Sequence, residues 1–63
     1  MKTRIKEIRK SLNMTQKELA EKSRISERQI IRIENNKEDF KVSTLINIAK
    51  ALNKEVGEIF PID

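Results

Sequence analysis

Cysteine and histidine are both absent from the chain. That absence removes disulfides, Cys/His zinc sites, thiol nucleophiles and the imidazole base of a hydrolytic triad together. Glycine and proline occur once each, and no Pro/Gly/Ser-rich linker, low-complexity tract or repeat interrupts the sequence. Aromatic residues make up only 3% and hydrophobic residues 37% of 63 residues. Such a composition supplies one small core but no second apolar wall to line a substrate cavity of roughly 300–1,000 Å³. No enzyme is expected, no catalytic residue is assigned, and no metal, cofactor or small-molecule ligand is implied. No apolar run approaches the roughly 20 residues that span a bilayer, and the basic N-terminus leads into an amphipathic pattern rather than a signal-peptide core. The reading is a cytoplasmic protein without a membrane partner. At less than half of a usual domain length of roughly 150 residues, positions 1–63 are expected to form a single domain.

Charge is abundant: 38% of residues are charged, and the net charge is +4. It is also unevenly spread. Residues 1–32 hold ten Lys/Arg against Glu7, Glu18, Glu21 and Glu27, a balance of +6, whereas residues 33–63 hold four against six, a balance of −2. A positive field concentrated in the N-terminal half favours an anionic partner there.

Helical periodicity runs through the chain. Ile5, Ile8 and Leu12 recur at i, i+3 and i+7, which predicts a first helix over about 3–12, closed by Asn13. Thr15 followed by Glu18 is a capping-box pattern that starts a second helix, with Leu19 and Ala20 directed inward. Ser26 with Gln29 is a second box that starts a third helix, expected to end at Asn35–Asn36. Val42, Leu45, Ile48, Ala49 and Leu52 mark a fourth helix closing at Asn53. A short fifth helix takes Val56, Ile59 and Phe60, with Val56 and Ile59 read as core. Its caps read as weak, since Glu55 is a poor N-cap and Gly57 costs about 1 kcal/mol inside a helix. No stretch alternates with period two, so the fold class is all-α, a compact arrangement of five short helices.

The stretch from about 16 to 35 carries the functional signal: two capped helices joined by a turn of about four residues. A steep crossing needs a small residue at the closest approach, which Ala20 supplies. Ile25, Ile30 and Ile33 fasten the third helix to the core. At about 100° per residue, Glu27, Ile31, Arg28 and Arg32 then fall within an arc of about 140° on its other side.

Three separated segments agree in order and spacing with one family. Thr15-Gln16-Lys17-Glu18-Leu19-Ala20, Ile30-Ile31-Arg32-Ile33-Glu34-Asn35 and Leu45-Ile46-Asn47-Ile48-Ala49-Lys50-Ala51-Leu52 resemble the Xre-type, lambda-repressor-like helix-turn-helix family. The resemblance covers nearly the whole chain. It implies a five-helix DNA-binding domain, commonly dimeric, whose third helix enters the major groove of an operator. It also implies a phosphate contact for Gln16, base contacts for Glu27, Arg28 and Arg32, and a structural ion pair between Arg9 and Glu34. An arginine fork bonds guanine O6 and N7, a glutamate accepts from cytosine N4, and Ile31 on the same arc suits a thymine methyl. Lys17, Ser26, Gln29, Asn35 and Lys37 are the neighbouring phosphate candidates, with the N-termini of the second and third helices adding backbone donors. Glu38 and Asp39 bring negative charge to the following segment, so Lys41 is left out of the set. At the turn, the family's usual glycine is replaced by Arg24, which implies either a different turn or a left-handed arginine.

The plainer reading of Arg28 and Arg32 is a solvated helix face, but a like-charged i,i+4 pair is unfavourable there. For Glu27 it is a carboxylate stabilising the helix dipole. The sequence is thus read as a sequence-specific double-stranded DNA-binding transcriptional regulator, a repressor that recognises a pseudo-palindromic operator. Phe60, Pro61 and Ile62 form a C-terminal apolar patch expected to pair with a second copy as a homodimer. The competing reading is a protein-interaction module, an antitoxin or adaptor on the same scaffold, favoured by the outward Ile31. A basic amphipathic peptide on a membrane fits less well, given the capped short helices and few aromatics.

Overall fold

The structure, a computed structural model, describes residues 3–36 and 40–60. Five helices follow in order: α1 Ile5–Ser11, α2 Gln16–Ser23, α3 Glu27–Glu34, α4 Val42–Ala51 and α5 Val56–Ile59. No strand occurs among the described residues. α2 packs against both α3 and α4, and α5 packs against α4. The core is aliphatic, built from Ile5, Ile8, Leu19, Ile30, Ile33, Leu45, Ile48, Leu52 and Ile59, with Ala20 and Ala49 where helices approach closely. Phe40 meets Phe60 edge-on, ring centroids 6.1 Å apart, at the side of that core.

The ends of the helices follow from backbone chemistry. Asn13, Asn36 and Asn53 take left-handed conformations with φ of 55°, 58° and 56°, ending α1, α3 and α4 as expected of asparagine. Arg24 closes α2 at φ 59°, so the turn keeps the left-handed geometry and an arginine bears it. Ser23 beside it is buried and donates its hydroxyl to the Leu19 carbonyl at 2.6 Å, which satisfies a polar group inside the core. The Thr15–Glu18 box is complete: Glu18 N–H donates to Thr15 Oγ1 at 3.0 Å, and Thr15 N–H donates to Glu18 Oε1 at 2.9 Å. The Ser26 box is half made, with Gln29 N–H donating to Ser26 Oγ at 3.1 Å.

Four sequence expectations need correction. α1 is shorter than 3–12, and Leu12, at its C-cap, is 44% exposed. The buried stripe instead turns from Ile5 and Ile8 to Arg9. Val42 opens α4 and is 72% exposed. Val56 likewise opens α5 and lies at the surface, while Ile59 is fully buried. Glu55 does not leave α5 uncapped, since its own N–H donates to Glu58 Oε2 at 2.9 Å.

Candidate nucleic-acid interface

The two inner residues of α3, Ile30 and Ile33, are fully buried against the core. Since side chains on a helix distribute at about 100° per residue, anchoring that side turns the opposite arc to solvent. Glu27, Arg28, Ile31 and Arg32 are all exposed, with Ile31 at 37%.

Beside this arc runs an open groove of about 750 Å³, lined by Ser26, Arg28, Gln29, Arg32, Phe40, Lys41 and Thr44. It lies between α3 and the start of α4. Arg28, Arg32 and Lys41 supply three cations along it, and no acidic residue is among its described lining. Lys41 is the residue that sequence reasoning set aside. Its signal lay in its place immediately before α4, whose N-terminal end also carries partial positive charge, and not in the acidic pair preceding it.

The phosphate candidates are distributed differently from one another. Lys17 is exposed on the first turn of α2, and Ser26 and Asn35 are exposed at the two ends of α3. Gln29 is half-buried and lines the groove. Gln16 is half-buried, and its side-chain amide donates to Glu34 Oε1 at 3.0 Å. Lys37 lies outside the described residues, as do Pro61 and Ile62 of the C-terminal patch. Phe60 is half-buried against Phe40.

A buried ion pair holds the end of α3 in place. Arg9 Nε donates to Glu34 Oε2 at 2.7 Å and Nη2 to Oε1 at 3.2 Å, while Nη1 donates to the Met14 carbonyl at 2.7 Å. The side chains are 8% and 1% exposed. The fork-to-fork geometry satisfies both carboxylate oxygens and fixes orientation as well as distance. With Gln16 sharing Oε1, one carboxylate at the end of α3 ties together α1 and the first residue of α2. No described buried side-chain nitrogen or oxygen is left without a partner.

A helix-turn-helix family model matches residues 5–59. The chain belongs to the helix-turn-helix family. Among similar proteins is an uncharacterized HTH-type transcriptional regulator of Archaeoglobus fulgidus, 36% identical over 63 residues, covering all of this chain and 89% of the relative. The crystal structure of the restriction-modification controller protein C.AhdI from Aeromonas hydrophila matches this helix-turn-helix chain with a TM-score of 0.88 at 24% identity. That match covers 90% of this chain and 86% of the controller protein, and establishes a shared fold. Among the described residues, no helix is long and apolar enough to cross a membrane.

Proposed function

We propose that this helix-turn-helix protein is a transcriptional regulator that binds double-stranded operator DNA sequence-specifically, with α3 in the major groove. The observation that carries the reading is the division of α3: Ile30 and Ile33 are sealed in the core, while Glu27, Arg28, Ile31 and Arg32 face outward beside a groove edged by Lys41. A major groove about 12 Å wide admits a helix and presents the acceptors and methyl groups that these side chains match. Phosphates are assigned to Gln16, Lys17, Ser26, Gln29, Asn35 and Lys37, to which Lys41 is added. The name of the archaeal relative supports a regulatory role. Repression is the mode assigned, since occupation of an operator is sufficient for it. Residues 1–63 are read as one DNA-binding unit, working in the cytoplasm with the DNA.

The protein is assigned a homodimeric state on a pseudo-palindromic site. The molecule measures 28 × 21 × 19 Å, shorter than the roughly 34 Å between successive major-groove half-sites, so one copy serves one half-site. Phe60 is engaged with Phe40, so the pairing surface is extended to the hollow between α4 and α5. There the apolar Ile46, Ala49 and Val56 are edged by Lys50 and Lys54 on one side of the sequence and Glu55 and Glu58 on the other. A two-fold axis would set each sign of charge against its opposite.

The exposed Ile31 also suits the second reading, an antitoxin or adaptor whose α3 face grips a protein. Fluorescence anisotropy with labelled duplexes at stepped salt separates the two. The expected result is a linear fall of log K with log salt and a preference for selected over random duplex. Binding that ignores both salt and sequence would reject the regulator reading.

A further inference from the structure

Given DNA binding through α3, its outward arc resolves into two rows. Glu27 and Ile31 are four residues apart, and so are Arg28 and Arg32, so each pair lines up along the helix axis, with the rows about 100° apart. One row presents a carboxylate followed by an alkyl group. The other presents two guanidinium groups. All four side chains are exposed.

A major groove also has two sides, because each base pair shows a purine edge from one strand and a pyrimidine edge from the other. The guanidinium row suits guanine O6 and N7 on one strand, and the other row suits cytosine N4 and a thymine methyl on its complement. Glu27 and Arg28 are adjacent in sequence and differ by about 1.5 Å along the helix, less than half a base-pair step of about 3.4 Å. They therefore meet the two halves of a single G·C pair. Arg32 stands about 6 Å further on, close to two base-pair steps of about 3.4 Å each. It reaches a second guanine on the same strand. Ile31 stands about 4.5 Å beyond Arg28, nearer to one base-pair step of about 3.4 Å than to two, and over the opposite strand. At Arg32's own level that strand carries cytosine, so the methyl belongs to the intervening pair.

We infer that α3 reads a three-base-pair block, GAG on one strand and CTC on the other, an assignment that rests on the proposed role of α3 as the DNA-reading helix. The block holds two G·C pairs with both guanines on one strand, bracketing an A·T pair whose thymine faces Ile31. Because GAG reads the same from either end of its strand, the inference does not depend on which way the helix points along the groove.

The test is selection of bound duplexes from a random pool, followed by anisotropy on a defined duplex carrying two inverted GAG blocks centred about one helical turn apart. Enrichment of GAG/CTC is expected. Replacing either G·C pair by A·T should weaken binding roughly ten- to hundred-fold. Replacing the thymine by uracil removes only the methyl and should weaken wild type about four-fold. The same replacement should leave Ile31→Ala unchanged, with circular dichroism confirming that the variant keeps its helices. A different selected block, or a wild type indifferent to uracil, overturns the inference while leaving the DNA-binding reading in place. No enrichment over random duplex overturns both.

Discussion

At Arg28 and Arg32 two guanidinium groups share one outward row of α3, four residues apart, where like charges repel by a few tenths of a kcal/mol. As neighbours on a helix face they offer each other nothing. In the proposed complex, each would instead meet an acceptor pair. Arg28→Ala or Arg32→Ala is expected to cost about 1–3 kcal/mol on the selected site and to relax a single base position, read by anisotropy against a panel of single-pair variants. Lys17→Ala should weaken all sequences alike and reduce the salt slope by about one, so the same titrations separate reading from holding. Both arginine variants binding like wild type would remove α3 from the groove. These side chains were legible in the sequence because helical periodicity alone divides α3 into two faces. The place of Lys41 beside them was not, because it comes from the start of α4 lying beside α3, a relation between two elements that no local pattern records.

Among the elements, the junctions are the most readable features. Asparagine at positions 13, 36 and 53 predicts helix ends because its short polar side chain tolerates left-handed backbone, and all three adopt it. Arg24 adopts the same geometry without that advantage. Arg24→Gly should therefore raise stability by about 1 kcal/mol in urea denaturation, and a loss of stability would show that the arginine side chain compensates for its backbone. Glu18 reports on the start of α2: accepting the Thr15 backbone N–H, and then the Thr15 side chain, holds its carboxyl below the ordinary value of 4.5. A group depressed in the folded state stabilises above its unfolded pKa and loses that contribution as pH falls through the folded one. Wild type should lose thermal stability below about pH 4.5 more steeply than Glu18→Gln. Parallel acid profiles would count against the box as the source. Leu12, Val42 and Val56 escaped the periodic reading, although Ile5 and Ile59, also at helix ends, are fully buried. Periodicity gives the face of a helix but not whether a neighbouring element covers its ends.

For the whole molecule, total stability on the order of 0.05–0.15 kcal/mol per residue amounts to about 3–9 kcal/mol for a chain of this size. Removing one partner of a buried ion pair costs about 3–5 kcal/mol, which is comparable to the total. Glu34→Ala is accordingly expected to leave the protein largely unfolded near its growth temperature, whereas the paired change Arg9→Met with Glu34→Leu should recover much of the loss. Circular dichroism melts of both variants against wild type provide the comparison, and a Glu34→Ala melt equal to that of wild type would show that the pair contributes little. The family resemblance anticipated Arg9 with Glu34. Gln16 joining them could not be read locally, since it lies 18 positions from Glu34.

That shared carboxylate has a mechanical consequence. On the proposed binding mode Gln16 would meet a phosphate, and its amide already donates to the Glu34 carboxylate at the far end of α3. On that proposal a tug from the sugar-phosphate chain on Gln16 would be passed to the pitch of α3. Grip and discrimination would then be geared together, and a change made to tighten one would retune the other.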